Sequence, residues 1–321
     1  MKHANSRPTK AYVELTRACN LSCIHCLNNS GRSMQGELSH KEILQLVHDL
    51  ASFHIREIRF TGGEPTVHPV LEQAIALATK LNVTTSIGSN AVAITKKSAS
   101  QLFEAGLQKA IISLDGDEPR NDAIRGRYSF QRSWHGIRAL RTSNIDVRIN
   151  AVAMKTTLKG LLPLAELCAQ EGVRLFIRRY IPCGRALGDL SELLTITDYE
   201  DLRAKLQFFI QEGVVDGHHL SPNRHNVCSA GTSGFVILPN GDVKSCGFLS
   251  ELVENSYGNI LSEELSEIWN RLASFQLLGG GESSLEIWSR NHPNLPRTNC
   301  PAVAISENQN EALVLLRRKP S

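Results

Sequence analysis

The chain has 321 residues, of which 41% are hydrophobic, 21% charged and 6% aromatic, and its formal net charge is only +3. This is enough apolar material for one large domain and a smaller one, and it excludes a disordered chain. Acidic and basic residues are interleaved, which argues against a nucleic-acid or membrane surface; no apolar run reaches the ~18 residues of a membrane span and MKHANSRPTK lacks a signal-peptide core, so a cytoplasmic protein is expected.

The first β-rich run is Ala11–Thr16, and RACNLSCIHC follows at once, with three residues between Cys19 and Cys23 and two between Cys23 and Cys26. In a cytoplasmic chain with eight cysteines, thiols are read as ligands, reactive groups or core residues before disulfides. Three in one loop ask for a soft metal. Zinc would need a fourth ligand, which His25 would have to supply from inside the same turn, whereas three thiolates suit a [4Fe–4S] cluster with one iron left open. Ser39, with Glu42 three residues on, makes a capping box for a helix with the apolar series Ile43, Leu46, Val47, Leu50 and Ala51.

The second strand, Glu57–Phe60, runs into TGGEP (Thr61–Pro65), where Gly62 and Gly63 admit close backbone approach and Glu64 offers a carboxylate to a cation. A third strand, Val83–Gly88, leads to Ser89 and Asn90. The fourth, Lys109–Leu114, runs into SLDG (Ser113–Gly116), with IRG (Ile124–Gly126) beyond it. Strands Val147–Val152 and Arg174–Arg179 complete the series, and Cys168 in the intervening helical run LLPLAELCAQ is expected in the core. Strands alternating with helices predict right-handed crossovers, a parallel sheet, and chemistry in the loops after the strands. Cys183, in RRYIPCGRA, falls at the mouth of that sheet.

Residues 195–217 read as a linking helix, with a domain boundary near 190–220. From Cys228 the pattern changes to a hairpin, GFVILPNGDVKSC, with Asn240–Gly241 as its turn, then a helix over Glu263–Phe275 and an irregular Leu278–Thr298. Arg317, Arg318 and Lys319 read as a solvated tail.

The cysteine loop, GGEP, GSN and SLDG, occurring in this order after successive strands, resemble the radical S-adenosylmethionine superfamily. The resemblance implies an α/β fold: a partial (β/α)6 TIM-like barrel over residues 1–190, a linking region over 191–227, and a small Twitch/SPASM-like auxiliary-cluster domain over 228–321. It implies that Cys19, Cys23 and Cys26 hold a [4Fe–4S] cluster with an open iron site. S-adenosylmethionine would bind there, contacted by His25, Gly62, Gly63, Glu64, Ser89, Asn90, Ser113, Asp115 and Arg125, and be cleaved reductively to a 5′-deoxyadenosyl radical that abstracts a substrate hydrogen. The CSAG opening, the NGDV turn and the GNI…EIW helix match the start of a SPASM or Twitch extension, which implies a second [4Fe–4S] cluster on Cys228, Cys246 and Cys300. A full SPASM domain has several further cysteines, but here only Cys300 remains, so the fourth position is open or filled by Cys183 or His292, and zinc is a rival at this second site. Cys183 is either a buried small residue or, as in radical epimerases, a hydrogen-atom donor.

The string CIHCLNNSG resembles the peptide-maturing group related to mycofactocin maturation, which points to oxidation, crosslinking, excision or epimerisation of a ribosomally made precursor peptide. Eighteen residues before Cys19 leave no room for a fused leader-recognition domain, so a separate recognition protein is expected, beside an electron donor such as flavodoxin or ferredoxin. The alternatives are a dehydrogenase or epimerase of an aminoglycoside-type sugar or cyclitol, and a non-catalytic iron–sulfur or zinc sensor.

Overall fold

A computed structural model describes residues 8–220, 233–250 and 256–274. The predicted alternation is realised as parallel strands β1 (Lys10–Glu14), β2 (Glu57–Thr61), β3 (Thr84–Ser89), β4 (Lys109–Ser113), β5 (Asp146–Ala153) and β6 (Arg174–Arg179). The crossovers run through α1 (His40–Ser52), α2 (Leu71–Lys80), α3 (Lys96–Glu104), the pair α4 (Glu118–Arg125) and α5 (Ser129–Thr142), and α6 (Leu161–Glu171).

The strands alternate because one face must be buried. Ala11, Val13, Ile58, Phe60, Ile87, Ala110, Ile112, Ile149, Ala151, Leu175 and Ile177 are each at most 1% exposed, in one core with Ile43, Leu46, Val47 and Leu50 of α1 and Leu71, Ala74, Ile75 and Ala78 of α2. Each large aliphatic side chain so buried contributes ~1.5–3 kcal/mol. The α1 capping box forms as expected: Ser39 Oγ accepts from the Glu42 amide at 3.3 Å, and the Glu42 carboxylate accepts from the Ser39 amide at 2.7 Å. Cys168 is fully buried on α6, where burial pushes its thiol up to about 12. The opposite face of the sheet carries Tyr12, Arg59, Lys109, Asn150, Phe176 and Arg178, all half-buried, with the Arg59 guanidinium 5.3 Å from the Tyr12 ring and that of Arg178 5.6 Å from Phe176.

Two elements differ from the sequence expectation. The single helix expected over 195–217 is instead α7 (Ile196–Lys205) and α8 (Gln207–Gln211), followed by a short strand, β7 (Val215–Asp216), parallel to β6. Gly213, at φ +72°, ends the helical run in the left-handed conformation that glycine adopts freely, and the β-branched Val214 and Val215 then extend. The second difference is where the expected hairpin sits: β8 (Gly234–Ile237) pairs in parallel with β1, and β9 (Val243–Lys244) lies antiparallel to β8 around Gly241 at φ +87°. Among the described residues the result is a nine-stranded sheet in the order β7-β6-β5-β4-β3-β2-β1-β8-β9. A helix at Leu265–Ser274 falls inside the predicted Glu263–Phe275. Cys228, His292, Cys300, Leu278–Thr298 and the C-terminal basic cluster lie outside the described residues. Among the described residues no helix is long and apolar enough to cross a membrane.

Candidate active site

The parallel sheet brings the loops after β1, β2, β3, β4 and β6 to one end. The β1–α1 loop, which carries the three clustered cysteines, has no helix or extended strand; a backbone bridge between Ala18 and Gly31 and the Ile24 amide on the Ile124 carbonyl at 3.0 Å pin it, and side chains add to this. The Glu37 carboxylate accepts from Thr16 Oγ1 (2.8 Å), the Arg17 amide (2.7 Å) and the Met34 amide (2.9 Å). Arg17 reaches the Asn28 carbonyl at 2.9 Å, and Asn28 Nδ2 donates to the Gly62 carbonyl at 3.1 Å. Every clustered sulfur faces an N–H donor. The Leu21 amide lies 3.4 Å and Asn90 Nδ2 3.8 Å from Cys19 Sγ, the Arg125 guanidinium 3.9 Å from Cys23 Sγ, and the Ser30 amide 3.3 Å from Cys26 Sγ. Burial pushes the Cys19 thiol up to about 11 and raises that of Cys23, so without a metal both hold their protons at neutral pH and release them when a metal binds.

Gly62 and Gly63 let the β2 loop run against this one. A Cβ on Gly62, at φ +126°, would sit 2.4 Å from the Thr16 carbonyl oxygen, and one on Gly63 2.3 Å from that of Ala18. Glu64 is fully buried, and its carboxylate accepts from Thr66 Oγ1 (2.7 Å), the Thr66 amide (3.2 Å), Ser89 Oγ (2.7 Å) and the Asn90 amide (2.7 Å). Three of these donors meet Oε1 and only the Asn90 amide meets Oε2, which leaves Oε2 an acceptor site for a ligand ammonium. Burial raises the Glu64 carboxyl, and the hydrogen bonds oppose this. Ser113 is half-buried at the end of β4.

Asp115, fully buried, joins His25 to Arg125. One carboxylate oxygen lies 3.0 Å from His25 Nε2 and 2.7 Å from the Arg125 guanidinium, and the other accepts from the Val152 amide at 2.8 Å. Burial alone would raise the Asp115 carboxyl, but Arg125 and His25 outweigh it and hold the group well below the usual carboxylate range. Cys183 lies beyond β6, 2% exposed, its thiol donating to the Ile181 carbonyl at 3.3 Å. Cys246 is half-buried, and a Cβ on the adjacent Gly247 would meet Leu27 at 3.6 Å; its expected partners Cys228 and Cys300 are outside the described residues.

A profile described as the radical SAM superfamily matches residues 13–168, and one described as an iron–sulfur cluster-binding domain matches 228–294. The mycofactocin maturase MftC of Mycobacterium tuberculosis is 31% identical over 304 residues, covering 90% of this chain and 77% of its own. The chain belongs to the radical SAM superfamily. The AdoMet-dependent heme synthase of Nitratidesulfovibrio vulgaris is 28% identical over 293 residues, covering 82% of this chain and 79% of its own. In fold, the chain matches Streptococcus suis SuiB, solved bound to the precursor peptide SuiA, with a TM-score of 0.68 at 20% identity over 83% of this chain and 65% of that one. As a radical SAM enzyme it has a [4Fe–4S] cluster and S-adenosylmethionine as cofactors, and the second profile implies further iron–sulfur.

The residues of the site fit these groups. Among the described residues no three His, Cys, Asp or Glu side chains converge closely enough for one metal ion; a [4Fe–4S] cluster bonds each thiolate to a different iron and asks for a wider spread than zinc does. The N–H donors around the sulfurs suit thiolates. His25 Nδ1 and Arg125 Nε are buried without hydrogen-bond partners among the described residues, polar atoms for a ligand to satisfy. Sequence reasoning missed the holding roles of Arg17, Asn28 and Arg185, which lie within the quoted strings, and of Glu37, which lies outside them.

Proposed function

We propose that Cys19, Cys23 and Cys26 bind three irons of the [4Fe–4S] cluster, that S-adenosylmethionine takes the fourth, and that the enzyme modifies a precursor peptide. The observation that carries the site assignment is the convergence of three N–H-solvated thiols, the Gly62–Gly63 cradle and the Asp115-tethered His25 and Arg125 at one end of the sheet. The peptide is supported by the identity to MftC and by the CIHCLNNSG string. When bound, the cluster and S-adenosylmethionine supply, on one-electron reduction, a radical able to abstract hydrogen.

The chain's own part is orientation. Asp115 fixes Arg125 so that its free Nε–H faces a ligand carboxylate, and holds His25 by Nε2 so that its other edge meets the adenine. Backbone groups at Gly62 and Gly63, with Glu64 behind them, receive the ammonium. Ser89, Asn90 and Ser113 serve the ribose, and the half-buried face around Asn150 and Arg178 receives substrate. We assign residues 1–190 to the barrel, 191–227 to the link and 228–321 to the auxiliary domain, where Cys228, Cys246 and Cys300 hold the second cluster. Held there, that cluster would serve as acceptor for an electron from the substrate radical, which would make the overall reaction an oxidation; flavodoxin or ferredoxin is the electron donor and a separate leader-recognition protein the partner. A second reading rests on the place of Cys183 just beyond β6: its thiol would return a hydrogen atom to the substrate radical, the thiyl radical left behind would be reduced by the electron donor, and the product would be an epimer.

The test is anaerobic reconstitution with iron, sulfide and EPR analysis, then dithionite, S-adenosylmethionine and a short precursor peptide encoded beside the gene. About eight irons falling to about four in the Cys19→Ala, Cys23→Ala, Cys26→Ala variant, with 5′-deoxyadenosine lost, is the expected result. Cys246→Ala should keep cofactor cleavage but give no product. Zinc in place of iron, with no cofactor cleavage by the wild type, overturns the assignment; an unchanged peptide overturns the substrate. Full activity and unaltered stereochemistry in Cys183→Ala dispose of the thiol donor.

A further inference from the structure

Directly after Cys183 the chain turns back onto the cysteine loop. Gly184, at φ +60°, passes so close that a Cβ there would lie 2.1 Å from the Leu27 carbonyl oxygen and 2.3 Å from that of Cys26. The Arg185 amide donates to the Cys26 carbonyl at 2.9 Å. The Arg185 guanidinium then spreads across the loop: one nitrogen donates to the Cys23 carbonyl at 2.5 Å, another to the Ser30 carbonyl, and Nε to Asn29 Oδ1 at 3.1 Å. Asn29, which presents that oxygen, is held at φ +45°, a conformation open to asparagine at little cost.

One side chain therefore ties three points of the segment Cys23–Ser30, and its own amide ties a fourth. The segment contains two of the three clustered cysteines and has no helix or strand to fix it. A guanidinium is suited to this task because its planar fork offers several donors at once, which an ammonium does not. The anchor comes from the loop after β6, more than 150 residues away in sequence, and that same loop carries Cys183.

We propose that Arg185 is a positioning residue for the radical cluster, fixing Cys23 and Cys26 relative to the β6 loop so that cluster and barrel mouth move as one unit. The inference rests on the assignment of the cluster to Cys19, Cys23 and Cys26. It requires that loss of the fork loosen the cysteine loop without loosening the sheet, and that a cation alone restore only part of the effect.

The experiment compares wild type, Arg185→Ala, Arg185→Lys and, as a variant perturbing the core away from the loop, Cys168→Ala. In the metal-free chain, hydrogen exchange of the amides of residues 23–31 should rise in Arg185→Ala while that of β1 to β6 stays unchanged. In the reconstituted enzyme, iron loss to a chelator should be at least ~10-fold faster, because several charge-assisted bonds are gone. The EPR signal of the reduced cluster with S-adenosylmethionine should shift, Arg185→Lys should be intermediate, and Cys168→Ala should match wild type. Arg185→Ala with wild-type exchange, iron loss and EPR signal overturns the proposal. Should Arg185→Ala fail to fold, Arg185→Lys is judged by the same measurements, and wild-type values in it overturn the proposal. A wild type no richer in iron than the Cys19→Ala, Cys23→Ala, Cys26→Ala variant would instead overturn the cluster assignment beneath it.

Discussion

Replacing Asp115 by asparagine isolates one charge at the centre of the site. The side chain is fully buried and lies 2.7 Å from an Arg125 guanidinium that is itself only 9% exposed, so solvent does little to screen the pair. Asparagine can still accept from the Val152 amide, now at 2.8 Å, but it leaves the guanidinium buried and uncompensated. Removing one partner of a buried pair costs ~3–5 kcal/mol, and at ~2 °C per kcal/mol for a chain of this size the melting temperature should fall by ~6–10 °C. The sign with pH follows from the lowered carboxyl. The contribution is complete above the unfolded-state value of about 3.9, so it is whole at pH 7 and erodes only as acidification moves from there down through the folded-state value. The assay is urea unfolding of the metal-free chain followed by circular dichroism, at pH 7, on Asp115→Asn, Arg125→Met and the double variant. If the loss is that of an orphaned charge, the double variant is more stable than the two single losses predict, by at least ~1 kcal/mol. Strict additivity, or a loss below ~1 kcal/mol in Asp115→Asn, refutes the reasoning.

Three further outcomes follow from the packing. Gly63→Ala places a methyl 2.3 Å from the Ala18 carbonyl oxygen, so it should displace the cysteine loop and weaken S-adenosylmethionine binding, measured by calorimetry on the reconstituted enzyme, by ~10-fold or more. Ser39→Ala removes half of the α1 capping box and should cost ~1 kcal/mol in urea unfolding with iron content unchanged. Cys168→Ser puts a hydroxyl into an apolar core position with 0% exposure and should cost ~1–3 kcal/mol, again without loss of iron.

What the sequence disclosed, it disclosed through short-range rules. Ser39 and Glu42 are three residues apart, so their box is visible in the string, and the strands before the cysteine loop and before TGGEP announce themselves by β-rich runs that must bury one face. Cys168 was legible from the apolar helix around it. The rest depends on pairings that no window contains. β7 is two residues long and exists because Leu175 and Phe176 offer it an edge. Arg185 is an ordinary polar residue until the fold sets it beside the cysteine loop, and Asn28 and Glu37, inside that loop, gain their roles only when it closes on Gly62 and Thr16. Glu64 illustrates a subtler gap: its carboxylate was legible as a ligand for a cation, yet two of its four protein donors, Ser89 and Asn90, appear only once β2 and β3 lie side by side.

The pairing of β8 with β1 has a consequence for biogenesis. Lys10 is matched with Gly234 and Val13 with Ile237, so on the ribosome β1 has an unsatisfied edge until more than two hundred further residues have emerged. An exposed edge invites aberrant pairing, and closing a contact of such sequence separation is slow. The strand that feeds the cysteine loop thus gains its second neighbour late in synthesis, and metallation of that loop is expected only after β8 has emerged, not when the loop itself leaves the ribosome.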